Sequence, residues 1–307
     1  MPSSKKLAFT VAQWLLAAAI IWFAIRALRG QWALAGERLR SLTPNWALIG
    51  LATLIVLATY VLLIETWRRV IIASGETLRF RDAARIWFVS NLGKYVPGKI
   101  WSIAAMSMMA RRSAVSAGVA AGSSILIQLV TIAAGIAVVL ACGASLVDNP
   151  LVVAAVAVAI IAVVALSPRL IEIAAKWAGS LTGKQLSIPR LSAAVIWMTA
   201  ASSALSWILY GVAFQLFVRG ILGSSAGATT SYIAVYAASY IIGFLALFAP
   251  GGAVVRESAI VTGMVRFALS GRADALAVAV TSRLWLTVTE LVPGLAYMAA
   301  RKPETRT

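Results

Sequence analysis

Between Thr230 and Phe267 the chain reads TSYIAVYAASYIIGFLALFAPGGAVVRESAIVTGMVRF. An apolar run leads to Pro250-Gly251-Gly252, and the run that follows carries Arg256 and Glu257 in its first turn. Proline removes a backbone donor and glycine opens the left-handed region, so a continuous helix is not expected here. The freed backbone groups cannot face lipid and are tolerated only inside protein or against a watery cavity. The segment reads as helix, break, helix: a re-entrant hairpin. Its first half, Ser231 to Phe248, is also long enough to span, and both readings leave the topology parity unchanged. A second segment, Asp82 to Met109, has the same grammar around Lys94-Tyr95-Val96-Pro97-Gly98-Lys99.

The rest of the chain supplies the membrane. Of 307 residues 61% are hydrophobic and only 12% charged, with a mean hydropathy of +0.91. A soluble chain carries roughly twice that charged fraction. Six apolar stretches approach or exceed the ~20 residues that cross a bilayer: Leu7–Leu28, Trp46–Thr66, Ala114–Ala141, Leu151–Ser167, Leu191–Phe217 and Ala275–Ala299. The fold class expected is all-α, a polytopic membrane protein of six transmembrane helices and two Pro-Gly-broken hairpins. It forms a single integral membrane domain over residues 1–307. Leu7–Leu28 follows Lys5 and Lys6 without a convincing cleavage site, so it reads as a retained helix rather than a signal peptide.

The charge is lopsided, with 27 Lys plus Arg against 10 Asp plus Glu. In this setting it points to cytoplasmic helix ends and anionic head groups rather than to nucleic acid. Arg68, Arg69, Arg79, Arg81, Arg85, Arg111 and Arg112 surround the first broken segment; Arg169, Lys176, Lys184 and Arg190 fill a later loop; Arg301 and Lys302 follow the last span. These place both termini in the cytoplasm of a bacterial-type inner membrane, although Arg26, Arg29, Arg38 and Arg40 run against the rule. The first hairpin then enters from the cytoplasm and the second from outside. Residues 5–143 and 150–300 read as an inverted repeat, with Ala117–Gly135 aligning on Leu276–Gly294 without gaps. Paired broken helices in such a repeat point to a transport site near the midplane.

Ionisable groups inside an apolar span are functional suspects, because each costs about 2.5 kcal/mol or more to insert. Arg256 and Glu257 sit where a helix N-terminus favours an anion, and arginine adds a planar donor fork for phosphate. Arg283 lies deep in the last span and needs a partner, either Glu257 or a lipid phosphate. Glu290, seven residues on, reads as facing the cytoplasmic interface. Lys94 and Lys99 form a cationic pocket if the hairpin tip is buried, and are ordinary interfacial lysines if it is not. Glu65 reads as a helix-face ion pair with Arg68 and Arg69. Most tryptophans read as interfacial anchors, with Trp87 and Trp101 beside the break set apart. With a single Cys142 and no histidine, no disulfide framework, thiolate cluster or histidine metal site is expected.

Asn91-x-Gly93-Lys94-Tyr95-Val96-Pro97-Gly98-Lys99, followed by Phe248-Ala249-Pro250-Gly251-Gly252-x-x-x-Arg256-Glu257, resembles the transmembrane, flippase-like region of lysylphosphatidylglycerol synthases over roughly residues 5–300. The resemblance implies a two-repeat membrane fold that moves lipids between leaflets. Pro250, Gly251, Gly252, Glu257 and Arg283 match the family pattern, whereas Lys99 and Ile100-Trp101-Ser102 replace an Arg and an acidic stretch. Only a few residues follow the last span, so the stand-alone form without the aminoacyl-transfer domain is expected.

The reading is therefore a lipid or lipid-linked-sugar translocase with Lys94, Lys99, Arg256 and Arg283 as head-group residues and Glu257 as an ion-pair or proton site. No G-x-x-x-x-G-K-[ST] motif occurs, so transport is expected to be passive or ion-coupled, without a cofactor. The expected partners are anionic phospholipid or polyprenyl-phosphate-linked lipid, with a homo-oligomer or a lipid-pathway enzyme as further associations. Two alternatives stand beside it. One is a polyprenyl-phosphate-dependent glycosyltransferase, for which the outer loops offer only the scattered carboxylates Glu37, Asp148 and Asp274. The other is a non-transporting accessory subunit.

Overall fold

The computed structural model describes residues 40–92, 100–143, 191–246, 252 and 254–299, with isolated positions at 36 and between 151 and 169. Lys94, Pro97, Gly98, Lys99, Pro250, Gly251 and the span Leu7–Leu28 lie outside the described residues, and only single positions of Leu151–Ser167 lie within them. The elements among the described residues are helices: α1 Trp46–Ala73, α2 Phe80–Asn91, α3 Ile100–Arg111, α4 Ala117–Cys142, α5 Ala193–Leu222, α6 Thr229–Leu245, α7 Val255–Arg266 and α8 Arg272–Ala299.

Four of these, α1, α4, α5 and α8, are long and apolar enough to cross a membrane. Their ends follow local chemistry. The side chains of Asn45, Ser116 and Ser192 accept from Leu48, Val119 and Val195 to start α1, α4 and α5. Gly223, at φ 80, stops α5 in the left-handed region that glycine enters at no steric penalty. α1 runs past the expected Thr66 to Ala73, because Glu65 pairs with Arg68 at 2.7 Å and Arg69 at 2.9 Å along the helix face. α5 likewise outruns its expected end at Phe217 and reaches Leu222.

Separate helices stand on either side of each Pro-Gly run. α2 and α3 flank the first and α6 and α7 the second. α6, at 17 residues, rises about 26 Å, just short of the ~30 Å hydrocarbon core. The order short helix, short helix, long helix occurs twice, as α2-α3-α4 and as α6-α7-α8. The first leg of each hairpin packs on the long helix of the other set, α2 on α8 and α6 on α4, while α1 and α5 pack along one another. The α5–α6 contact is close because Gly211 lets the backbones meet: a Cβ there would lie 2.4 Å from Ile233 Cα.

The outer surface is what lipid requires. Leu284, Val288, Val292 and Leu295 form an exposed apolar stripe on α8 at helical spacing. The opposite face of α8 carries Arg283, Leu286, Thr287 and Glu290 into a cavity. Between these faces the core is aromatic, with Phe217 stacked on Trp285 at 4.5 Å. The Trp285 indole donates to Thr53 at 2.8 Å and ties α8 to α1.

Candidate functional site

A cavity of about 330 Å³ opens between the two sets of helices, and all eight described helices contribute to its wall. Among the described residues its charged lining side chains are Arg256, Arg283 and Glu290. A neutral polar wall comes from Ser90 and Asn91 of α2, Ser124, Gln128 and Thr131 of α4, Ser206 of α5 and Thr287 of α8. Tyr60, Trp67, Trp87, Trp207, Tyr210, Tyr236 and Tyr240 supply the aromatic surface. Polar residues inside apolar spans are tolerated when they face such a hollow rather than lipid.

The second break builds the most specific part of this wall. Gly252 has φ +69, and a Cβ on it would lie 2.7 Å from the carbonyl oxygen of Gly243. Only glycine allows this approach of the break to the end of α6. A Cβ on Gly243 would in turn lie 2.9 Å from Arg256 Cβ. The first turn of α7 therefore stacks directly on α6. Val254, the residue before α7, sits at φ 70 with no side-chain cap on the helix. A β-branched residue is strained there, and such strain collects at functional sites.

This packing fixes Arg256. The residue is 8% exposed. Its guanidinium carbon lies 5.3 Å from the ring centre of Tyr236 and 5.4 Å from that of Tyr240. The two tyrosines are four residues apart and so share a face of α6. Tyr210 stacks on Tyr236 at 5.6 Å and Trp207 meets Tyr240 edge-on at 5.3 Å, which holds both rings. Arg256 Nε and Nη2 are buried and find no hydrogen-bond partner among the described residues. They form one edge of the guanidinium fork, the edge that grips two oxygens of a phosphate or carboxylate.

Arg283 has a protein partner. Its Nη1 donates to Glu257 Oε1 at 2.9 Å, a link between α8 and the first turn of α7. Glu257 Oε2 is buried without a hydrogen bond among the described residues. Glu290 is turned toward the interior of the bundle. It lines the cavity and accepts from the Tyr60 hydroxyl at 3.1 Å. The seven-residue spacing puts it on the same face of α8 as Arg283, and that face is the cavity wall.

The structure thus gathers Gly252, Arg256, Glu257 and Arg283 at one place. Trp87 lines the cavity and packs 6.4 Å from Trp67, whose indole donates to Ser123 at 3.0 Å. The sequence reading missed Gly243, Tyr236 and Tyr240. Their spacing, Tyr-x-x-x-Tyr-x-x-Gly leading into a Pro-Gly-Gly break, is a usable signal: one helix face aimed at the break. It also missed Gln128, an amide in the middle of a membrane-spanning helix.

The family described as the lysylphosphatidylglycerol synthase transmembrane region matches residues 7–294. No functionally curated protein matches the chain.

Proposed function

The chain belongs to the family of the lysylphosphatidylglycerol synthase transmembrane region, and on that premise we propose that it moves a phosphate-bearing lipid between bilayer leaflets, holding the phosphate on Arg256. The observation that carries this reading is the buried guanidinium edge of Arg256, with Nε and Nη2 unsatisfied and aromatic rings on its faces. A buried cation without hydrogen bonds is costly. Two phosphate oxygens satisfy that edge bidentately. The rings of Tyr236 and Tyr240 steady the guanidinium through their π faces, so it needs little reorganisation when the ligand arrives. The uncapped first turn of α7 adds amides and a partial positive charge of the right sign.

A head group in this hollow exchanges bulk water for fixed polar groups while its tails stay in lipid. That is the work a translocase performs without a covalent step, and we read the chain as non-catalytic. The twofold order of helices and the exchange of packing between α2–α8 and α6–α4 support the inverted-repeat reading. The loop charges support an inner-membrane protein with cytoplasmic termini.

The test is reconstitution of the full chain in liposomes. Acyl-labelled phospholipid in the outer leaflet is destroyed by a membrane-impermeant reductant, and label arriving from the inner leaflet is followed. The wild-type chain is expected to move label faster than protein-free vesicles. Arg256→Ala should slow it at least about thirtyfold, because removing one member of a buried hydrogen-bonded charge pair costs about 2–5 kcal/mol. Arg256→Lys keeps the charge, loses the fork and should recover only part of the rate. Wild-type rates in Arg256→Ala would refute the assignment.

A further inference from the structure

Among the described residues the cavity is lined by the charges of Arg256, Arg283 and Glu290, and Arg283 is held by Glu257. The Nε and Nη2 edge of Arg256, buried with unused donors, suits the charged oxygens of a phosphodiester. Beside that edge the described wall also carries uncharged polar groups. The side-chain amides of Asn91 on α2 and Gln128 on α4, and the hydroxyl of Thr287 on α8, line the hollow and make no hydrogen bond among the described residues.

An alkyl chain laid against these groups would strand two amides and a hydroxyl, each a loss of about 1–3 kcal/mol. An ammonium group would lie beside two guanidiniums, and the carboxylate that could draw it, Glu290, already accepts from the Tyr60 hydroxyl. Of the aromatic faces that could cage it, those of Tyr236 and Tyr240 are already occupied by Arg256. A sugar meets neither objection. Each of its hydroxyls both donates and accepts, as do the amides of Asn91 and Gln128. Its C–H face is apolar and suits the aromatic surface. The volume of about 330 Å³ sits at the lower end of small-molecule pockets, room for a head group and not for tails.

We propose that the head group carried by this cavity is a neutral sugar attached through a phosphodiester, with the phosphate on the Nε and Nη2 edge of Arg256 and the sugar hydroxyls on Asn91, Gln128 and Thr287. The proposal rests on the translocase reading and names its substrate class. The carrier of the phosphoryl sugar is either a glycerol lipid or an isoprenoid.

The experiment uses the full chain in liposomes with four probes: acyl-labelled phosphatidylglucoside, a short-chain isoprenyl phosphoryl hexose carrying tritium, acyl-labelled phosphatidylglycerol and acyl-labelled phosphatidylethanolamine. At least one glycosyl probe is expected to move about tenfold or more faster than phosphatidylethanolamine, and the one that does identifies the carrier. Gln128→Leu and the isosteric Thr287→Val should each narrow the glycosyl-to-phosphatidylethanolamine ratio by about tenfold, the effect of one buried hydrogen bond. Thr287→Val changes no volume, so misfolding does not confound it. Equal movement of phosphatidylethanolamine and both glycosyl probes, with ratios untouched by either variant, overturns the sugar assignment and leaves translocation standing. Movement of none of the four overturns translocation and the assignment together.

Discussion

Replacing Arg283 by leucine should destabilise the protein more than replacing its partner Glu257, although the two residues share one contact. The pair is 2.9 Å apart, with the Glu257 side chain 7% exposed and the Arg283 side chain 24% exposed on the cavity. Arg283→Leu leaves a buried carboxylate that has lost its hydrogen bond at Oε1 and has none at Oε2 among the described residues. Breaking a buried pair in this way costs about 3–5 kcal/mol. Glu257→Leu leaves a guanidinium that cavity water can reach, so the loss is closer to that of one charged hydrogen bond, about 1–3 kcal/mol. The double variant Glu257→Leu with Arg283→Leu carries no stranded charge, and apolar replacement of a whole buried pair is often near neutral. The cycle therefore closes with a coupling of about 4 kcal/mol or more, the two single losses together, against about 0.5–3 kcal/mol for ordinary contacts. Reversible unfolding of the four proteins in mixed detergent micelles measures it. Additivity within about 0.5 kcal/mol would mean that the pair contributes nothing as a unit, and the reasoning fails.

Gly252→Ala should weaken both stability and transport by about 2–4 kcal/mol, because it adds left-handed strain and drives a methyl into the Gly243 carbonyl at 2.7 Å; unfolding midpoints and liposome rates check it. Glu257→Gln keeps an oxygen for Arg283 but shifts the cavity by one positive charge, so the half-saturating lipid fraction should fall and turnover should slow; turnover that rises would contradict a phosphate bound as an anion. Glu65→Ala should cost less than about 1 kcal/mol in a thermal melt, since its partners Arg68 and Arg69 are 27% and 59% exposed along the helix face.

The breaks and the charges were legible because both are rare in an apolar chain. A Pro-Gly-Gly run has few conformations, and a glutamate or arginine in a span must find a partner, so Arg256, Glu257 and Arg283 stand out without a structure. What the sequence did not reveal is facing. Glu290 lies within the last third of α8, and depth along a helix does not say whether a side chain points at lipid, interface or hollow. Tyr236 and Tyr240 resemble the tyrosines that decorate membrane surfaces, and only the fold of α7 back onto Gly243 puts Arg256 between them. Helix ends were also under-read where ion pairs prolong a helix past its apolar run, as from Thr66 to Ala73 in α1.

The two arginines face one constraint and meet it differently. A guanidinium cannot lose its charge in a protein, so each must be compensated where it stands. Arg283 is compensated within the protein, by a carboxylate on the neighbouring helix, and that link holds the first turn of α7 in place. Arg256, in that same turn, has aromatic faces but no hydrogen-bonded anion among the described residues, and under the proposed function its outstanding compensation comes from the lipid phosphate. If both were free, the hollow would bind phosphate too tightly to release it; if both were paired, nothing would draw a phosphate out of water. Transport needs binding strong enough to desolvate the head group and weak enough to let it go. One committed pair beside one open fork meets both requirements, and it does so only while the glycine contact between Gly243 and Gly252 keeps α7 against α6.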